Sequence, residues 1–201
     1  MGQRSQIYVR HNGKLLFARY FQWNFGTRMI SRARYGMEDL EHHLEYTTDL
    51  YFRSPSYIRR FIRMFDTNFD YKDVQISTDI FAEYNEFYPL EGEHDFCSFV
   101  FQGQDNNDGK LLVDILDGKI KYAFLDDNCD PENPMTPEEY LQWDARTTIT
   151  KIWQDGCTPE EIQWTNENCA FIRDHYDLMT PEEIKAYIQT KDYFGKPSLL
   201  F

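Results

Sequence analysis

The chain has 201 residues, 41% of them apolar and 17% aromatic, and a net charge of −13 at pH 7. So many large apolar side chains exclude a disordered chain, and the length holds one core or one core with an appended subdomain. No run approaches the roughly 18 apolar residues of a membrane span or reads as a secretory leader, and the four cysteines lack CxxC spacing, so the expected setting is cytoplasmic with reduced thiols.

The charge is unevenly spread. Residues 1–65 hold eleven Lys or Arg against five Asp or Glu, a net of +6, whereas residues 66–201 hold ten against twenty-nine, a net of −19. Such separation can form an internal clasp, a basic site for an anionic partner, or an acidic surface that imitates a polyanion.

Ile7 and Val9 alternate with Tyr8 and Arg10, and Leu15 to Gln22 resumes an aliphatic and aromatic run after Asn12-Gly13. That dipeptide predicts a β-hairpin, because a type I′ turn needs positive φ at both central residues. Thr27 is the expected N-cap of a helix whose stripe is Ile30, Ala33, Met37, Leu40 and Leu44. Arg28, Arg32, Tyr35, Asp39 and His42 then fall on the opposite, exposed side. Arg28 and Arg32 lie in the first two turns, where the helix dipole is already positive, so an anion is expected there, either a phosphate or carboxylates of the same chain. Gly36, inside the helix, marks close packing.

Pro55 opens a second helix with Ile58, Phe61, Ile62 and Phe65 as its buried stripe and Arg59, Arg60 and Arg63 on the other face. Val74 to Phe81 has the alternation of a half-buried strand. Phe96 to Phe101, Leu111 to Leu116 and Ile120 to Leu125 follow as a meander, with Asp105 to Gly109 and Asp117-Gly118 as connections. The expected class is α+β, with an antiparallel sheet from the hairpin and meander packed against amphipathic helices.

Beyond residue 130 the chain is acidic and helical, giving an expected core domain over 1–130 and a helical extension over 131–201. Thr-Pro-Glu-Glu recurs at 136–139, 158–161 and 180–183, each 22 residues after the last. Thr as N-cap, Pro at the first helical position and Glu three residues after the Thr form a capping box, so three helices start there. The spacing fits either a duplicated helical unit or repeated use of one cap.

Asp126, Asn128 and Asp130 alternate like the start of a calcium loop, but Pro131 replaces the turn glycine and Pro137 the twelfth-position Glu. His94 with Cys97, and His42 with His43, do not form zinc constellations. No phosphate loop, GxSxG or HExxH is present, so no catalytic residue, metal or cofactor is expected. The candidate anion- and partner-binding residues are Arg4, Arg10, Arg19, Arg28, Arg32, Arg34, Arg59, Arg60 and Arg63. With Tyr8, Tyr20, Trp23 and Tyr35 interleaved, they have the composition of a surface that contacts phosphates and stacks on bases. Arginine is equally suited to bidentate carboxylate pairing at a protein interface.

The opening Met1-Gly2-x-Arg4-Ser5, the hairpin and the Tyr20-Phe21-Gln22-Trp23 segment before Gly26 resemble the start of uncharacterised small proteins encoded by phages and prophages. The resemblance covers roughly residues 1–45 and brings no catalytic residue. It implies a bacterial host cell and, by analogy of class, an anti-defence protein of the kind that inhibits CRISPR nucleases with an acidic, nucleic-acid-mimicking surface. The leading expectation is therefore a non-enzymatic inhibitor of a host defence nuclease complex, such as a CRISPR effector, that contacts protein or protein and nucleic acid and no membrane. A nucleic-acid or nucleotide-binding module using the N-terminal arginines, and an enzyme whose site is assembled only in the fold, are the alternatives.

Overall fold

The computed structural model describes residues 4–46, 54–66, 77–81, 84, 100–101 and 107–193. Its elements in chain order are β1 (Arg4–His11), β2 (Lys14–Gln22), α1 (Thr27–Tyr46), α2 (Pro55–Asp66), β3 (Ser77–Asp79), β4 (Lys110–Leu116), β5 (Lys119–Leu125), α3 (Pro137–Asp144), α4 (Thr148–Asp155), α5 (Pro159–His175), β6 (Asp177–Leu178) and α6 (Pro181–Ile188).

Two hairpins build the sheet. Asn12 and Gly13 have φ of 46° and 78°, and Asp117 and Gly118 have 50° and 73°. Each pair supplies the left-handed residues that let a two-residue loop follow the twist of its strands. After each turn the sequence repeats as Gly13-Lys14-Leu15-Leu16-Phe17-Ala18 and Gly118-Lys119-Ile120-Lys121-Tyr122-Ala123. Phe17 and Tyr122 enter one core, and Ala18 and Ala123 the core on the other face.

The class is α+β, but the sheet is mixed, not purely antiparallel. Its order is β3-β2-β1-β4-β5-β6. The hairpins meet through their first strands, so β1 and β4 run parallel from Gln6↔Lys110 to His11↔Ile115, and β5 and β6 are parallel as well. The long connection carrying α1 and α2 returns the chain for β4 in the direction of β1, as a crossover permits and a tight turn does not. The expected meander is corrected at two further points. Val100 and Phe101 lie in a helical turn, with 96–99 outside the described residues, and only Ser77–Asp79 of the Val74 run is extended before Ile80 and Phe81 turn helical, with 74–76 outside.

Ile7, Val9, Phe17, Leu111, Val113 and Tyr122 point to one side of the sheet, where α1, α2, α3 and α5 add Met29, Ile30, Phe61, Tyr140 and Ile172. Tyr8, Leu15, Leu112, Ala123 and Leu125 point to the other, covered by Phe81, Phe101, Ile184 and Tyr187. Residues on both sides of position 130 thus share each core. Both sheet edges are covered too. Leu15 donates to Asp192 O (3.0 Å) beyond the reach of β3, and Phe124 exchanges hydrogen bonds with Met135 beyond β6.

Helix α1 buries its predicted stripe and more. Ile30, Ala33, Met37 and Leu40 are buried, but so are Met29, Ser31, Arg32 and Gly36. The predicted exposed face is corrected: α2 and α5 flank the helix while it packs on β4, which leaves His42 exposed but buries Arg32. The start also differs by one residue. Gly26, at φ 50°, holds the cap position, and its carbonyl accepts from Met29 N (3.1 Å). In α2, Tyr57 stacks on Phe61 at 5.8 Å, while the side chains of Ile62, Arg63 and Phe65 lie outside the described residues.

All three predicted capping boxes are present. Thr136, Thr158 and Thr180 accept from the backbone N–H of Glu139, Glu161 and Glu183, whose carboxylates accept in return from the threonine N–H groups. They open helices of 8, 17 and 8 residues, with α4 intervening after the first. The arrangement is one cap used three times, not a duplicated unit.

Candidate functional site

The arginines of the N-terminal third do not form one face. Arg10 grips Asp114 with Nε (2.9 Å) and Nη2 (2.5 Å), donates to Thr190 Oγ1 (3.0 Å), and lies 4.4 Å above the Tyr187 ring. It locks α6 to β1 and β4. Arg19, 5% exposed, donates to Ser77 Oγ and O and fastens β3 to the edge of β2. Arg32, 3% exposed, donates to Asn24 Oδ1 (2.7 Å) over the Phe21 ring. Arg34 donates to Asn168 Oδ1 (2.7 Å) and covers Phe171, tying α1 to α5.

Arg60 reaches from α2 to both carboxylate oxygens of Asp39 on α1 (3.0 Å each). Arg28 is half-buried and donates to Trp23 O (3.2 Å), Arg59 is exposed, and Arg4 is held through backbone hydrogen bonds with Asp108. Arg28 and Arg32 both reach back to the loop before α1, to Trp23 O and Asn24 Oδ1. Planar guanidiniums serve here mainly as internal joints, each saturating several acceptors at once.

The anion expected at the start of α1 belongs to the chain itself. Asp144, the last residue of α3, accepts from Gly26 N (2.6 Å), so a carboxylate from the acidic part sits at the positive end of the helix dipole. Behind it lies Asp108. Both are fully buried and hydrogen-bonded to each other, and Tyr140 donates to Asp108 O (2.9 Å). Burial, followed by the charge of Asp144, pushes Asp108 up to about 8, and burial pushes Asp144 up to about 6. Two adjacent buried carboxyls resist carrying two charges, so the pair shares a proton into the neutral range.

Glycine is obligatory next door. At φ 79°, a Cβ on Gly109 would stand 2.5 Å from Leu125 O and 3.1 Å from the Trp143 ring. Neither carboxyl lines either of the two cavities described below, and the pair acts as a joint between β1, α1 and α3.

Sequence reasoning missed this pair. A signal existed for one member, because Tyr140 and Asp144 are four apart on a helix whose Tyr140 is core, so Asp144 shares the buried face. Asp108 had none, sitting in a run that reads as a polar turn. Lys110 is a second surprise. It is fully buried, donates to Asp127 O (3.1 Å), and is pulled down by that burial.

What the fold leaves outward is acidic. Residues 126–193 hold sixteen Asp or Glu against five Lys or Arg, and of the sixteen only Asp144 is buried. Glu160, Glu161 and Glu167 on α5, Glu138 and Glu139 on α3, Glu182 on α6, and Asp155 are exposed. Some are paired, as in Arg173 with Glu138, Lys185 with Glu132, and Arg146 with Asp127 (3.1 Å). Asp126, Asn128 and Asp130 form a turn in which Asp126 Oδ1 accepts from Asp130 N (3.1 Å). His94 and Cys97 lie outside the described residues.

Among the described residues two open cavities stand out. The larger, about 430 Å³, lies between Glu41, Lys119, His175, Tyr176 and Asp177, with Tyr176 donating to Glu41 (3.0 Å). The smaller, about 230 Å³, lies where α3, α4 and α5 meet the start of α1. No described helix is long and apolar enough to cross a membrane. No protein-family model matches the chain, and comparisons with curated proteins and with solved structures return no match.

Proposed function

We propose that the protein is a non-catalytic, phage- or prophage-encoded inhibitor that binds a host defence nuclease complex, of the CRISPR effector kind, by presenting its acidic helical part where nucleic acid would bind. The observation that carries this reading is the disposition of charge. Arg10, Arg19, Arg32, Arg34 and Arg60 are engaged by acceptors inside the chain, whereas fifteen of the sixteen carboxylates in 126–193 remain partly or fully exposed. Capping supports the carboxylates at low cost, because each Thr-Pro-Glu-Glu start places two of them where the helix dipole favours negative charge. The defence setting rests on the resemblance of residues 1–45, and the arginines are assigned to the scaffold instead of the partner.

The test is competitive. Immobilised protein should capture a nucleic-acid-handling complex from bacterial lysate, and excess protein should displace labelled duplex DNA from that complex, less effectively as salt screens the contact. Reversing Glu160 and Glu167 to Lys should weaken displacement at least about ten-fold, while Arg59→Glu leaves it unchanged. Capture without displacement at saturation would overturn mimicry. Direct binding of duplex DNA by the protein alone, lost on Arg28→Glu, would instead establish the nucleic-acid-binding alternative.

A further inference from the structure

The smaller cavity has features that the acidic surface does not require. Leu141, Cys157 and Ile162 line it together with Thr27, Gln154 and Thr165, and exposed Gln142 and Asn166 complete the wall. Ile162, one position after the Glu161 that closes the α5 capping box, leaves 49% of its surface exposed, more than the core of an isolated folded chain calls for. Gln154 already donates to Leu141 O (3.4 Å), and Thr165 to Glu161 O (2.8 Å), so these two polar side chains are turned to partners of the chain while Leu141, Cys157 and Ile162 offer apolar surface.

Size narrows the occupant. About 230 Å³ is below the ~300–1,000 Å³ typical of small-molecule and cofactor sites, and suits one large apolar side chain. Charge narrows it further. Exposed Asp155, Glu160, Glu161 and Glu167 adjoin the lining along α4 and α5, against Lys151 on α4 and Arg28 beside Thr27, which already donates to Trp23 O. An apolar centre with a charged rim is the anatomy of a binding hot spot.

We propose that this cavity receives a single Phe- or Leu-sized side chain, projecting from a partner segment in which Lys or Arg flank it. The inference rests on the acidic-face reading above and adds the anchor that gives such a face selectivity, since charge attracts any polycation whereas a shaped apolar pocket admits few.

Two peptides separate the two ideas, acetyl-Lys-Lys-Phe-Lys-Lys-amide and its Gly-centred counterpart, titrated at low salt into the full-length, isotope-labelled protein. The Phe peptide should bind about ten-fold tighter or more, moving the amide signals of Thr27, Gln154, Cys157 and Ile162. That advantage should vanish in Ile162→Asp and shrink in Ile162→Ala, both at an exposed position that leaves the melting temperature unchanged. Equal affinity for both peptides, with shifts spread over Glu160 and Glu167, would overturn the pocket while leaving the acidic face standing. Binding of neither would overturn both. A concentration-dependent dimer by sedimentation that moves the same signals without peptide would assign the cavity to a second copy and overturn the proposal.

Discussion

Asp108 and Asp144 show how a buried acid changes its meaning with pH. Both ionise in the unfolded chain near the ordinary carboxylate value of 3.8, but burial in the folded state raises Asp144 to about 6 and Asp108 to about 8. From the unfolded value up to about pH 8 the folded chain binds more protons than the unfolded one, so their contribution to stability is full below pH 4 and declines as pH rises to 8. Asp108→Asn, which keeps a donor for Asp144 without a proton to lose, should flatten that decline and raise stability at pH 8 by roughly 1–3 kcal/mol, with little change at pH 4. Urea unfolding at several pH values measures this, and an unchanged slope would contradict it. At Arg10 the expected sign is the opposite. Arg10→Ala strands Asp114, which is only 7% exposed, and removes the cation over Tyr187. A loss of about 3–5 kcal/mol is expected, with Arg10→Ala/Asp114→Ala losing less than the sum of its single changes.

At the scale of elements the three capping boxes allow a clean comparison, because the same four residues open helices in different surroundings. Thr136→Ala, Thr158→Ala and Thr180→Ala should each cost about 1 kcal/mol, read by thermal unfolding. A loss near zero at any of them would mean that packing alone holds that helix. These caps and both hairpin turns were legible in the sequence because their signals are local, contained in two to four consecutive residues. The heptad-like stripe of α1 was legible too. Its second buried face was not, because Arg32 looks solvent-bound until Asn24 and Phe21 come to meet it. The parallel pairing of β1 with β4 escaped for the same reason. Alternation along a strand says which side chains share a face, not which strand lies alongside. In the candidate site, the acidic composition was visible at once, but the partners of Arg10, Arg19 and Arg34 and the Asp108–Asp144 pair depend on contacts spanning from 36 to 180 positions.

For the whole molecule, a net charge of −13 with its cations largely committed to internal pairs means that the folded chain repels itself. Raising NaCl from about 0.05 to about 0.5 M should therefore raise the melting temperature by about 2–5 °C, the reverse of what a fold dependent on exposed ion pairs would show. The central strand pair reaches beyond equilibrium. β1 is made before its neighbour β4, which lies 104 positions further on. A hairpin closes within microseconds, whereas a contact across so long a loop must first overcome closure entropy. During synthesis the first hairpin therefore waits with its β1 edge bare until the second hairpin leaves the ribosome, at ~5–20 residues per second. Exposure of that edge for seconds makes the nascent chain, not the finished protein, the form most open to mispairing, and it is the form that a chaperone would be called upon to shield.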